Sequence, residues 1–378
     1  MNSTKNGNLI KPVAFFVIIV ILLLTVVIVA SGWHTDTTEP DSGNAEDGAD
    51  DVPTSGEADE DTNPDNQTPE PPENTNPEPE PKPEVPENLS PLTGLEISPA
   101  DGGKLPLCFI IDSTAPNYGT SYSPLIIEVP TEDGRTRSLL FTYSAESLGK
   151  LGSITSTRSY LTMLAKDFSG ILVSLGSDSN LNPDDGEGIS LSVNTGYHYT
   201  EYSTFSYSNG DLIKAMLKNL GVDMTDRESK PVFNFVGYFD EEITAEEKAE
   251  KLNITYSSSN KTSFVYSSDD EAYILHKNGS EYHDLLNDKP SLFKNILVLF
   301  ANCTTYETDE YTETYMDITG GGRGLYLTCG TVKEISWTRN ADGELLFTAD
   351  EAPLIINRGN TYISFVKSSQ TNTVEYSN

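Results

Sequence analysis

Between His34 and Ser90 the chain carries 11 of its 22 prolines, 18 acidic residues against one Lys, and no aromatic residue. Such a segment has no apolar surface to bury. Each proline removes a backbone donor and favours polyproline II, so residues 33–89 are expected to be a disordered, acidic, Pro-rich stalk. Only the 288 residues after Ser90 have the composition of a core-forming domain. The formal charge of −34 divides accordingly: residues 1–32 contribute +2, residues 33–90 contribute −17 and residues 91–378 contribute −19. Phosphate neutralisation needs clustered cations, which excludes nucleic acid and anionic membrane surfaces as partners.

Ahead of the stalk, residues 13–30 read VAFFVIIVILLLTVVIVA, with Thr25 the only polar member. With Pro12 before it and Ser31-Gly32 after it, the run reaches the roughly 20 residues that cross a bilayer as a helix. Ala30-Ser31-Gly32 would also suit a signal peptidase, but the apolar core is longer than the usual signal core of about 7–15 residues. Residues 12–32 are therefore read as an uncleaved, single-pass transmembrane signal anchor. Lys5 and Lys11 precede the span, so residues 1–11 are expected in the cytoplasm and residues 33–378 on the extracytoplasmic side of the cell membrane. At about 3.1 Å per residue when fully extended, the stalk is a long spacer, and a solvated tether is its plainer reading.

Beyond Ser90, short runs rich in β-branched and aromatic residues alternate with turn residues. Leu107–Ile111, Leu125–Val129, Leu139–Tyr143 and Ile171–Leu175 read as strands. Ser159–Phe168 and Asp211–Leu220 have helical spacing, the second with Gly221 as its stop. Thr244-Ala-Glu-Glu247 has the capping-box pattern and predicts a short polar helix to Leu252. Later apolar runs, punctuated by Asn278-Gly279, Cys329-Gly330 and Asp342-Gly343, read as antiparallel strands. The expected fold class is α+β. A mixed α/β N-terminal subdomain spans residues 90–235, an antiparallel β-rich C-terminal subdomain spans residues 236–368, and a flexible tail covers 369–378.

Three cysteines in a domain of this size do not make a disulfide framework. Cys108 sits in the apolar run LPLCFII and reads as a core residue; spacing leaves a Cys303–Cys329 bridge open. Four histidines and no zinc spacing argue against a metal, and no cofactor motif is present. Gly320–Gly324 lacks the strand, helix and Lys of a phosphate loop, and reads as a hairpin entry.

Ser90-Pro-Leu-Thr-Gly-Leu95 followed by Leu105-Pro-Leu-Cys-Phe-Ile-Ile-Asp112 resembles the opening of the YerB-like family of bacterial surface lipoproteins, N-P-L-T-G-L and then R-P-V-A-V-M-I-D-N. Further similarities follow in order. Gly119 and Ser121 lead to Leu125-Ile-Ile-Glu128; Thr136-Arg137 precedes a strand; Leu151-Gly-Ser-Ile-Thr-Ser-Thr-Arg158 is similar to I-G-P-V-R-S-A-R. Tyr282-His283-Asp284 and Asn357-Arg-Gly-Asn-Thr-Tyr-Ile363 resemble P-H-x-D and the closing N-P-G-x-T-W-I. The resemblance covers residues 90–366. It implies a two-part exported fold tethered to the membrane in Gram-positive-type bacteria, and no established activity. The chain departs from the pattern at Ala115 and Thr155, where Arg is usual, at Ser113 for Asn, and at Ser203 for His. No Cys follows the apolar segment, so the span replaces the lipid anchor.

Two functional readings follow. The first is a membrane-tethered extracytoplasmic binding or scaffold protein of the cell envelope, its partner a cell-wall polymer or a surface protein. Nineteen tyrosines, many beside Ser and Gly, suit such a contact surface. The alternative is an envelope enzyme or polyanion-binding transferase-like protein, with Glu128, Asp112, His283 and Asp284 as candidate acid-base groups and Arg137 and Arg158 as ligand-binding cations. A buried Glu–Arg pair that serves packing is the plainer reading of the charged set. Oligomeric state is not legible. The stalk assignment has a direct test. Limited proteolysis of the intact protein should release a stable fragment beginning near Leu89, whereas equal resistance along the stalk would overturn the assignment.

Overall fold

The computed structural model describes residues 84–176, 188–192, 194–225, 231–307 and 312–378; the span and nearly all of the stalk lie outside these residues. Among the described residues no helix is long and apolar enough to cross a membrane. Strand dominates, and the α-helices there are two, α1 (Ser159–Asp167) and α2 (Gly210–Leu220). The α content expected of residues 90–235 thus amounts to two short helices on a β-rich fold. α2 starts where Asn209 accepts a hydrogen bond from Leu212 N–H at 3.0 Å and stops where Gly221 turns left-handed.

The first half of the domain supplies β1 (Leu107–Asp112), β2 (Leu125–Pro130) and β3 (Thr136–Thr142). The second supplies β4 (Lys251–Ser257), β5 (Asn260–Ser267), β6 (Ala272–Lys277), β7 (Asn295–Glu307), β8 (Thr361–Lys367) and β9 (Val374–Ser377). One large sheet runs through both halves, with the order β7-β8-β2-β3-β1 across its centre. β8 lies at the seam, parallel to β7 on one side and to β2 on the other. A smaller sheet, β6-β5-β4-β9, packs beside it.

Period-two alternation assigns side chains to the layers. On β1, Cys108 and Ile110 join a core with Tyr160, Leu161 and Leu164 of α1, while Leu107, Phe109 and Ile111 join one with Ile213 and Met216 of α2. On β7, Leu297 and Leu299 share the α1 core, while Ile296 and Val298 meet Leu252, Phe264 and Tyr273 of the small sheet. α1 therefore covers one face, and α2 and the small sheet divide the other. With both faces covered, the central strands carry apolar runs on successive positions, as in Leu107–Ile111 and Leu125–Ile127.

Two segments depart from expectation. The helix expected over Thr244–Leu252 is absent: Glu247–Lys248 pairs with Thr331–Val332, and β4 begins at Lys251. Leu252 and Ile254 are buried at strand spacing, so sheet pairing overrides the local capping signal. The tail is not loose either, because Val374–Ser377 pairs with Lys251–Ile254 and closes the small sheet's edge. All three cysteines are free, with Cys108 fully buried.

The small sheet is fastened to the large one through a carboxylate. Glu128 on β2 is completely buried. Its oxygens accept from Lys277 Nζ at 2.6 Å, Thr136 Oγ1 at 2.7 Å, Thr262 Oγ1 at 2.8 Å and Tyr362 OH at 2.9 Å. Burial alone would raise its pKa, but the charge and hydrogen bond of Lys277, with those of Thr136 and Thr262, hold it below the ordinary value. A depressed carboxylate pKa stabilises the fold above the unfolded value, about 4.3, and that contribution is lost as pH falls through the folded value. Lys277→Met leaves the carboxylate buried without its cation and is expected to cost about 3–5 kcal/mol at neutral pH. In the variant Glu128 takes up a proton more readily, so denaturant titrations should show the deficit shrinking toward about pH 4.5. A deficit independent of pH would show that Glu128 is not the group responsible.

Candidate functional site

The charged residues singled out in the sequence do not line one cleft. Glu128 is sealed between the two sheets. Arg137 and Arg158 do come together, with Glu132 between them electrostatically. Arg158 Nη2 lies 3.4 Å from Glu132 Oε1, and its Nε lies 3.1 Å from Glu313 Oε1 without the alignment of a hydrogen bond. Glu132 also accepts Thr314 N–H at 2.9 Å. Burial would raise the Glu132 pKa, yet that N–H and the two arginines hold it below normal. Arg137 donates to Ser156 O at 2.9 Å, and burial, then repulsion from Arg158, lowers its pKa. An Arg at the α1 N-terminus is electrostatically unhelpful to the helix. Glu132 and Glu313 account for its presence there, and they tie the β7 hairpin to the first half of the domain.

Asp112 caps its own turn, accepting Thr114 N–H at 2.9 Å and Thr114 Oγ1 at 2.7 Å. His283 and Asp284 are strand neighbours, so their side chains diverge. His283 lies at the surface between Glu281 Oε1 at 2.9 Å and Asp288 Oδ1 at 3.2 Å. The Glu281 hydrogen bond, ahead of the opposing effect of burial, raises its pKa. Asp284 is fully buried and accepts Gly119 N–H, Ser121 N–H, Ser121 Oγ and Leu286 N–H at 2.7–2.9 Å. Its work is to fix the turn Thr120–Tyr122.

That turn presents Tyr122, 43% exposed, as a ridge between two clefts of about 270 Å³ each. Ser121, Tyr122, Ser123 and Asn360 border both. The first is closed by Thr93 and Leu95, and the second by Asn287 and Lys289. The Ser90–Leu95 loop keeps its shape through Gly94 N–H to Ser90 O at 2.7 Å and Ser90 N–H to Leu95 O at 2.8 Å. It docks on the closing segment of the domain through Gly359 N–H to Thr93 O at 2.8 Å.

Together the clefts form an open groove of hydroxyls, amides and apolar edges, with Glu96 and Lys289 as its charged members. Such a lining binds by shape and hydrogen bonding. Among the described residues no group of His, Cys, Asp and Glu could hold a metal. The groove draws on four of the segments that carried the resemblance: Ser90–Leu95, the turn with Ser121, the stretch after His283 and, through Asn360, Asn357–Ile363. Sequence reasoning picked out those segments but not Tyr122, Asn287 or Asn360. The available signal was their position inside or beside the same motifs.

Comparison with known proteins gives the family and the fold. Residues 92–209 match the N-terminal domain, and residues 252–363 the C-terminal domain, of a family described as protein of unknown function DUF3048. The crystal structure of the YerB protein from Bacillus subtilis is similar in fold, with a TM-score of 0.66 and 21% identity over 77% of this chain and 99% of that one. No curated protein matches. The chain belongs to the YerB-like DUF3048 family.

Proposed function

We propose that this chain is a binding or scaffold protein of the bacterial cell envelope, held to the membrane by residues 12–32 and carried outward on the stalk of residues 33–89. The two-part organisation, residues 90–235 and 236–368, supplies the two walls of its contact surface, the groove around Tyr122. The observation that carries the reading is this groove: an exposed tyrosine between two clefts lined mostly by neutral hydrogen-bonding groups, with Glu96 in one and Lys289 in the other. An aromatic face offers contact area to the C–H face of a sugar at low entropic cost, and Ser and Asn side chains supply adaptable hydrogen bonds. The ligand class is an extended polar polymer of the cell wall. The alternative, an envelope enzyme or polyanion-binding transferase-like protein acting on the same polymer, has less support. Glu128 is sealed, Arg137 and Arg158 face Glu132, and His283 and Asp284 diverge.

Two measurements test this. The full chain in detergent should be retained by purified wall fractions, and Tyr122→Ala should weaken retention roughly tenfold, the scale of an aromatic anchor, at unchanged melting temperature. Unchanged retention would move the contact elsewhere, and no retention by any fraction would sink the binding reading. For topology, an impermeant amine reagent on intact cells should label Lys289 and other domain lysines but leave Lys5 and Lys11 unlabelled until lysis. The opposite pattern would reverse the orientation.

A further inference from the structure

The Ser90–Leu95 loop has a second side. There a cavity of about 690 Å³ is walled by Pro91, Phe233, Phe235, Lys104 and Arg358, among others. Among the described residues no Asp or Glu lines it, in a chain where 58 acidic residues outnumber 24 basic ones. Lys104 is answered by Asp101, at 3.3 Å.

Arg358 has no such answer among the described residues. Two other half-buried arginines do: Arg158 lies between Glu132 and Glu313, and Arg339 grips Asp167 through both Nη atoms at 2.7 and 2.5 Å, whereas Arg137 donates to the Ser156 carbonyl. Arg358 instead donates through Nη1 to the Gly94 carbonyl. Its guanidinium lies 5.8 Å from the ring centre of Phe235 and 5.1 Å from that of Tyr238, and its Nε is buried without a hydrogen-bond partner. Gly94 permits this approach. Its φ is +66°, and a Cβ there would come within 2.8 Å of Nη1 and 2.7 Å of the Phe235 ring. The guanidinium is thus held at a cavity wall by a carbonyl and two rings, none of which carries a formal charge.

We propose that this cavity binds an oxyanion, a phosphate or carboxylate group borne on a body with an aromatic or apolar face. Arg358 and Lys104 take the charge, and Phe233, Phe235 and Pro91 take the face. A planar guanidinium suits the paired oxygens of such a group, and the Gly94 carbonyl with the two nearby rings holds it in place in advance of binding. This site stands apart from the Tyr122 groove, although Ser90 and Ile97 border both.

Phenyl phosphate and benzoate are the probes, read by thermal shift and by titration calorimetry on the full chain in detergent, with chloride at matched ionic strength as reference. The parent should be stabilised by one or both probes beyond chloride. Inorganic phosphate should act more weakly than phenyl phosphate, since it lacks the ring. Arg358→Gln should lower affinity at least tenfold, while Arg323→Gln, which removes a cation elsewhere on the surface, should leave it unchanged. If Arg358→Gln does not fold, Lys104→Gln decides: a several-fold loss supports the site, and unchanged affinity overturns it. A parent that responds no more than to chloride, or a folded Arg358→Gln that responds like the parent, also overturns it. Tyr122→Ala should retain the anion response, so failure of the groove and failure of this cavity are separate results.

Discussion

A buried carboxylate with four donors holds this domain in one arrangement. Taking Glu128 out of water costs several kcal/mol, and only a complete set of partners offsets that. Those partners come from four places: Thr136 on β3, Thr262 on β5, Lys277 on β6 and Tyr362 on β8. Any packing of the small sheet that slips by one residue would strand the charge, because each strand presents its donors on alternate positions only. An apolar residue at 128 would tolerate several such packings. The carboxylate therefore contributes specificity of docking more than net stability.

The local signals in the sequence located most strands, because buried strands must be apolar and their turns need glycine or asparagine. Asn278 and Gly279 both adopt positive φ, as the hairpin reading of that pair requires. What the sequence could not supply were pairings between distant segments. Glu128 and Lys277 are 149 residues apart, and nothing near either one names the other. Thr244–Leu252 shows the same limit in reverse, where a sound local helix signal yields to a sheet edge that needed a strand. The family resemblance marked some segments that meet at the groove and others that do not, and that convergence is a property of the fold and not of any segment.

The site candidates illustrate how charge misleads when read alone. Glu128, Asp284, Arg137 and Arg158 drew attention because acid-base and anion chemistry needs such groups, yet buried charges in proteins are usually paired and serve packing. Each of these finds its partners inside the chain. The groups left over are of two kinds: Tyr122, exposed with no core to join, and Arg358, a cation without a counter-charge among the described residues. Unsatisfied residues of this sort carry more functional information than satisfied ones, and only the folded arrangement separates the two.

β8 has a further consequence. The strand at the centre of the large sheet is made after both of its neighbours, since Thr361–Lys367 follows Leu125–Pro130 and Asn295–Glu307 in the chain. Until it emerges, β2 and β7 each have a bare edge where their parallel neighbour belongs. Closure over so long a sequence separation makes folding slow and postpones it until β8 has been made. The same order leaves the two halves of the sheet unjoined in a polypeptide that lacks its keystone strand, and the domain acquires its shape only after that strand has arrived.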